Sequence, residues 1–378
     1  NRTAEKVIGF KSGLYASGEY QDSVENALAD QVPMAESFKK MYNTALSGFK
    51  NRIISATNIE SKEEFKDKVV KLTDEINMVG DHLYYSKGRE MWDTARFDAG
   101  IEKINGVASN HPELNFYAYY IEREIENDFE TGEKAELAEY LKTRLNLELT
   151  NHTSHFAKFE VSDFETFDKY FYNTDHHWNY LGSYKGYQEV LNLLGLSKPL
   201  NPLDTTKVGW LSGSRAAGIG EASYTEVQWV YKFDFPKMKV TIDGRVPKGV
   251  DGNTDGDYGS QAELIEKNAG VWDVNDRSAE NNVSYARFYG NDYAEVVLQN
   301  LGGGASGAAG RNLLVFGDSY DNALLKLLAC SYDTVYSIDA RWYENNAGHP
   351  FDFDQYVAAH PVDDVLFIGS NTLFENPF

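Results

Sequence analysis

Three side chains of this 378-residue chain have the types and setting that acyl chemistry uses: Asp175 and His177 in Asp175-His176-His177-Trp178, and Ser319 in Gly317-Asp318-Ser319-Tyr320. A serine hydroxyl is a weak nucleophile until a base takes its proton, and histidine serves best as that base when a carboxylate fixes its tautomer. Residues two apart in an extended or turn segment project to the same side, so Asp175 pairs with His177, the base, while His176 points away. Ser319 follows the apolar run Leu313-Leu314-Val315-Phe316 and precedes Ala323 to Leu328, the pattern of a tight turn from a buried strand into a helix. Unpaired N–H groups at such a helix start are where an oxyanion is stabilised.

Other readings compete for the same residues. Gly-Asp-Ser is a common turn sequence in its own right. Asp175 with His176, His177 and the upstream His152 and His155 offers zinc-type ligands, but the stretch from His152 to His155 is polar and unpatterned and no His-Glu-x-x-His signature occurs. The expectation is therefore no metal at this site. Separately, Asp251, Asn253, Asp255 and Asp257 match the start of a calcium loop, with Gly256 at the turn. The twelfth position is Ala262, with Glu263 one residue late, so a polar hairpin loop competes with structural calcium there. No Walker motif or dinucleotide fingerprint occurs, and the triad requires no cofactor.

The elements that position these residues divide near residue 95. Residues 1–95 form a mainly helical N-terminal segment, with helical apolar spacing over Tyr20 to Lys50 and Ser61 to Asn77 and a short hairpin over Met78 to Tyr85. Residues 96–378 alternate helix and strand: helix Ile101 to Asn110, strand Leu114 to Ile121, helix Glu133 to Leu145, then strands at Leu313 to Phe316, Thr334 to Ile338 and Val365 to Ile368. That alternation predicts an α/β parallel sheet with crossover helices. Tyr170 to Thr174 reads as a strand or loop reaching a sheet edge, and Asn179 to Leu194 as a helix. Residues 200–300 form a β-containing insertion, with strands at Val227 to Phe233 and Met238 to Ile242, and the glycine-rich run from Gly302 to Gly307 is a flexible approach to the Ser319 strand. Trp210, Trp229 and Trp272 could stack on sugar faces, although most of the 25 tyrosines and these indoles suit core filling equally.

Thr174-Asp175-His176-His177-Trp178-Asn179 with Gly182, then Gly317 to Tyr320 and Ile338-Asp339-Ala340-Arg341-Trp342-Tyr343, resembles the DHHW-motif proteins of Gram-positive bacteria. These are similar to the SGNH-hydrolase-like domain of periplasmic alginate O-acetyltransferases, whose Asp-x-His element precedes its serine. The resemblance runs from about Asn115 to the C-terminus and is weaker over Tyr20 to Asn51, which includes Leu28-Ala29-Asp30-Gln31-Val32-Pro33. It implies a flavodoxin-like sheet with circularly permuted motif order, and it matches Asp175, His177 and Ser319 to a catalytic triad. The third SGNH block has a counterpart in Gly369-Ser370-Asn371-Thr372, which implies Asn371 as an oxyanion donor; Arg341 and Tyr320 stand where substrate is bound, with Arg341 equally suited to a structural ion pair.

Composition sets the outer limits. Lys and Arg total 36 against 58 Asp and Glu, a net charge of −22 that repels phosphate backbones and argues against a nucleic-acid partner. It also disfavours a densely anionic acceptor unless Arg or Lys residues cluster at the cleft. The single cysteine, Cys330, allows no internal disulfide and reads as a buried thiol. No apolar run approaches a membrane span and no signal-peptide core opens the chain, which suits a trimmed, extracytoplasmic protein. The expected function is acyl transfer, acetyl above all, on a cell-envelope or extracellular polysaccharide, as O-acetyltransferase or acetylesterase. Its expected partners are the polysaccharide acceptor and a small acyl donor or a membrane acyl-transfer partner. The alternative is a non-catalytic carbohydrate-binding or polysaccharide-assembly protein with the same fold.

Overall fold

The computed structural model describes residues 65–86, 94–147, 155–196, 198–220, 224–246, 281–302 and 310–378. The helical expectation for Tyr20 to Lys50, the calcium-type loop, Trp272 and the run from Gly303 to Gly307 lie outside them. The chain divides into two compact units between Lys68 and Val69, and the second, Val69–Phe378, holds the site.

That boundary precedes residue 95 because a three-stranded antiparallel sheet, β1 (Val69–Lys71), β2 (Ile76–Val79) and β3 (His82–Tyr85), belongs to the second unit. Leu83 donates its N–H to Asn173 O at 2.8 Å, and His82 Nδ1 lies 2.9 Å from Asp168. The hairpin over Met78 to Tyr85 is present as β2 and β3, whereas the helix expected over Ser61 to Asn77 is replaced, within the described residues, by a short 3₁₀ turn and by β1 and β2.

Helix α1 (Thr94–Asn110) leads into β4 (Asn115–Ile121), and α2 (Leu137–Arg144) precedes β5 (Phe156–Phe159). Helices α3 (Phe164–Tyr170) and α4 (Tyr180–Leu193) bracket the first motif; β6 (Asp204–Leu211), α5 (Ser214–Gly218), β7 (Glu226–Lys232) and β8 (Met238–Ile242) follow. Then come α6 (Tyr285–Tyr289), β9 (Glu295–Asn300), β10 (Asn312–Gly317), α7 (Leu325–Ala329), β11 (Thr334–Ile338), α8 (Ala340–Ala347), α9 (Phe353–Ala359), β12 (Asp364–Gly369) and α10 (Asn371–Glu375).

The result is a mixed α/β fold around a seven-stranded sheet of order β5-β4-β12-β10-β11-β9-β8. The first five strands in that order are parallel; β9 joins β11, and β8 joins β9, antiparallel. Both faces are covered, which explains the unbroken apolar runs. Leu313 and Val315 of β10, with Leu366 and Ile368 of β12, pack on one side. Leu314 and Phe316, with Val365 and Phe367, pack on the other against α1, α9 and α10. At about 1.5–3 kcal/mol per buried large side chain, these two layers hold the strand ends in fixed register. The 200–300 insertion is β-containing but divided: β6 and β7 form their own two-stranded sheet, while β8 and β9 extend the main one.

Candidate active site

Residues 171–178 form a loop rather than a strand arriving at a sheet edge. Asp163 caps α3, whose last residue is Tyr170, and a bridge between Phe171 and Trp178 closes the loop. Trp178 is fully buried, and a Cβ at Gly186 would come within 2.5 Å of its ring, so glycine lets α4 lie directly on the indole. Asn179 caps α4 by accepting from Leu181 N and Gly182 N at 2.9 and 3.1 Å. These contacts account for the Trp-Asn half of the motif as architecture.

The other half faces Ser319. His177 Nε2 lies 2.7 Å from Ser319 Oγ, and His177 Nδ1 lies 2.6 Å from Asp175 Oδ1. Asp175 Oδ1 also accepts the His177 N–H at 3.0 Å, and its Oδ2 accepts the Ser214 N–H at 2.9 Å. Burial alone would raise the Asp175 carboxyl, but the charge of His177 and the hydrogen bonds from His177 and Ser214 hold it well below the usual carboxylate range. An ionised carboxylate can only accept, so Nδ1 carries the proton and Nε2 presents its lone pair to the Ser319 hydroxyl. The imidazole is locked in that pose by the Tyr285 ring, stacked at 3.9 Å and 1°.

Ser319 stands between β10 and a 3₁₀ turn at Asp321–Ala323, and is neither buried nor fully exposed. Asp318 pins this turn to the neighbouring strand by accepting from Ser370 N and Ser370 Oγ, both at 2.9 Å, and from Tyr320 N at 3.2 Å. Among the described residues, no acceptor is hydrogen-bonded to the Ser319 N–H. Asn371 is buried in the first turn of α10, next to Ser370.

Tyr320 is turned inward. Its hydroxyl donates to His176 O at 2.7 Å and its buried ring meets Trp178 edge-on, so it packs against the histidine loop. The Arg341 guanidinium donates to Asp339 at 2.8 Å and to Asp292 at 3.1 Å, the structural ion pair among the two roles expected for it. Trp229 is 39% exposed and carries the Lys207 ammonium over its ring at 4.9 Å. His155 is buried, its Nδ1 2.8 Å from Phe116 O. Asp175, His176 and His177 bring metal-type ligand atoms within 4.8 Å of one another, although both His177 nitrogens already have partners.

His176 differs from its neighbour. Its Nδ1 meets Ser214 Oγ at 2.7 Å, and burial together with the adjacent His177 charge lowers its pKa well below the ordinary value. Its ring packs on that of His177 at 3.9 Å and, among the described residues, makes no hydrogen bond to Ser319, so if His177 is the base, His176→Ala is expected to cost less than about tenfold in turnover and His177→Ala at least about 10². The reverse ranking in steady-state assays would reassign the base.

The sequence reading missed the shell that holds this loop. Gly213 is obligatory, because a Cβ there would lie 2.3 Å from Asp175 Cβ. Arg215, fully buried, donates to Glu124 Oε1 at 3.0 and 2.6 Å, to Tyr172 O at 3.1 Å and to Asp175 O. Glu226 of β7 accepts from Asn173 N at 3.1 Å, Thr174 N at 2.7 Å and Thr174 Oγ1 at 2.8 Å. A Gly-Ser-Arg triplet and a glutamate opening a strand of β-favouring residues were the available signals.

Burial pushes Glu226 up to about 7 from the ordinary 4.5, against the pull of its Thr174 and Asn173 donors. The folded chain therefore keeps a proton that the unfolded chain has lost, and stability falls as pH rises through that window. Glu226→Gln removes this titration, so its melting temperature should fall less than the parent's between about pH 5 and pH 8. Parallel melting curves across that range would contradict the assignment.

No family model matches the chain, and no curated protein does. Solved structures do. A DHHW family protein from Eubacterium siraeum is 15% identical, covering 82% of this chain and 94% of that one with a TM-score of 0.55. This chain has the fold of a DHHW family protein. Bacillus cereus PatB1 with a sulfonyl adduct is 19% identical over 82% of this chain and 97% of its own, also at a TM-score of 0.55; a second PatB1 structure is 18% identical, over 81% and 96%, at 0.52. Among the described residues, no helix is long and apolar enough to cross a membrane.

Proposed function

We propose that this chain is an extracytoplasmic, SGNH-like serine enzyme that moves an acyl group, acetyl above all, onto or off a cell-envelope or extracellular polysaccharide. The observation that carries the reading is the unbroken hydrogen-bond chain from Asp175 through His177 to Ser319, with a partly exposed hydroxyl at its end. The strand order agrees with it: numbered from β10, the five parallel strands read 2-1-3-4-5, the flavodoxin-like order, which fits a circular permutation that starts the chain before β4. PatB1, which shares the fold, carries a sulfonyl adduct, the kind of product a nucleophilic side chain gives with a sulfonyl reagent.

In this mechanism Ser319 Oγ attacks the acyl carbonyl while its proton passes to His177 Nε2. The new C–O bond leaves a tetrahedral oxyanion, held by the Ser319 N–H and by Asn371. Collapse breaks the bond to the leaving alcohol, which takes the proton from His177 and leaves an acyl-serine. A sugar hydroxyl or water then gives its proton to His177, attacks the same carbonyl, and Ser319 Oγ is released and reprotonated. Asp175 keeps the tautomer and stabilises the imidazolium throughout. No step uses a metal or cofactor. The acceptor is a polysaccharide hydroxyl, and the donor is a small acyl ester or a membrane acyl-transfer partner.

A sulfonyl fluoride should label Ser319, at a rate that falls on acidification because a protonated imidazole cannot accept the serine proton. Exhaustive chelation should leave this labelling unchanged, with the melting temperature followed in parallel so that lost stability is not mistaken for lost chemistry. Chelator-sensitive turnover with no label on Ser319 would overturn the serine mechanism.

A further inference from the structure

Arg123 is a cation at the edge of the site that the mechanism above does not use. In adjacent parallel strands Gly317 pairs with Ile368, and Ile368 with Tyr119, so the three residues lie side by side across β10, β12 and β4. Ser319 is two residues beyond Gly317 and Arg123 four beyond Tyr119, both past the carboxyl ends of their strands. Two strand spacings separate them, on the order of 10 Å, which an arginine side chain largely spans. Open parallel sheets bind ligands along this edge.

Among the described residues, the Arg123 guanidinium has no hydrogen-bond or ion-pair partner, and its Nε is fully buried without one. A largely desolvated, unpaired guanidinium is costly and calls for an anion. The carboxylates around it are shared with other groups. Glu122 lies against Lys158 at 2.7 Å and also holds Lys134; Glu124 holds Arg215 through Oε1, its Oε2 has no hydrogen bond, and its one charge serves both Arg215 and Arg123. Asp318 holds Ser370. Glu126 accepts from Arg123 N at 3.0 Å and Tyr120 Oη at 2.8 Å, and burial pushes it up to about 8, which favours its neutral acid form. Its charge interacts with Tyr320, Glu124, Asp318 and Glu126, and with His176, in keeping with the position beside the nucleophile turn that the strand register gives it.

We propose that Arg123 is a substrate-binding residue that receives a carboxylate carried by the substrate, beside the acyl group attached to Ser319. A guanidinium fork matches a carboxylate in a planar, two-point contact. A single negative charge suits the site better than a multiply charged group, because the chain's net charge of −22 repels a ligand in proportion to the ligand's own charge. The carboxylate can come from the acceptor, as an acidic sugar, or from the acyl group, as the free end of a dicarboxylic hemiester. This inference rests on the acyl-transfer reading for its position next to Ser319, but its binding arm does not require turnover.

The glycan arm titrates the Ser319→Ala protein by calorimetry with an oligosaccharide that carries one uronic acid and with the same oligosaccharide carboxyl-reduced to neutral sugar. The acyl arm compares kcat/KM for a p-nitrophenyl hemisuccinate with that for p-nitrophenyl acetate. In one arm or the other the Arg123-intact protein should prefer the carboxylated partner. In that arm Arg123→Gln should lower the ratio of carboxylated to neutral by about tenfold to a hundredfold, the range for a charge-assisted hydrogen bond, while Arg123→Lys should retain part of it. Ratios remain interpretable if either variant is somewhat less active, and melting curves identify a variant that fails to fold, in which case the lysine variant carries the test. No preference in either arm, or a preference that Arg123→Gln leaves unchanged, would overturn the proposal. If Ser319 proves unreactive while uronate binding still depends on Arg123, the catalytic reading fails and this one stands.

Discussion

Replacing Ser319 by alanine should lower acyl turnover by on the order of 10⁴-fold or more, and adding His177→Ala to that variant should lower it no further. The non-additivity is the informative part. In the proposed mechanism Ser319 Oγ and His177 Nε2, 2.7 Å apart, act on one proton, so removing either group removes the same step. The residual rate then comes from binding and oxyanion donors alone. Ser319 lies on a turn held by backbone and Asp318 contacts rather than by its own hydroxyl, and the deleted oxygen is partly exposed, so the melting temperature should stay close to the parent's. Steady-state assays on the two single variants and the double variant, each checked by thermal melting, make the measurement. Losses that multiply would mean that the two side chains act independently, and a shared proton would be excluded.

What the sequence disclosed of this arrangement was the part written in short, local patterns. The runs Leu313 to Phe316, Thr334 to Ile338 and Val365 to Ile368 were legible as parallel strands because both faces are buried and no polar alternation interrupts them. Asp175, His177 and Ser319 were legible because few side chains can do their chemistry and the two motifs are compact. Over Ser61 to Asn77 the reading erred because Val69, Val70, Leu72 and Ile76 fit a helical period about as well as strands separated by a Thr73-Asp74 turn. Around Tyr170 to Thr174, β-favouring aromatics masked the helical set Phe164, Phe167 and Phe171. Arg215, Glu226 and Arg123 stayed invisible for a different reason. The roles of Arg215 and Glu226 are set by partners far along the chain, as when Arg215 meets Glu124 across 91 positions, and Arg123 is notable only for its place in the folded sheet, two strands from Ser319; no local pattern carries that information.

Asp175→Asn should cost about 10⁴-fold in turnover while changing one atom's identity, the scale seen when a triad histidine is left with the wrong tautomer or without its counter-charge. The argument is a count of donors. Asp175 Oδ1 accepts from both His177 N and His177 Nδ1, and Oδ2 accepts from Ser214 N. An asparagine that keeps its oxygen toward His177 sets its NH₂ against the Ser214 N–H, donor against donor, and no negative charge remains to stabilise the imidazolium. Flipped, it satisfies Ser214 but donates to Nδ1, which moves the ring proton to Nε2 and leaves nothing there to take the Ser319 proton. Both orientations fail, for different reasons. The native carboxylate does not share this weakness on mild acidification. Its pKa lies well below the ordinary 3.8, so its stabilising contribution is present at neutral pH and is lost only as pH falls through the depressed value. The acid limb of the sulfonyl-labelling rate, where a protonated imidazole cannot act as base, should disappear in Asp175→Asn if the flipped, Nε2-protonated tautomer dominates. A loss smaller than about 10²-fold, with the acid limb unchanged, would show that Asp175 only supports the loop and that His177 keeps its tautomer without it.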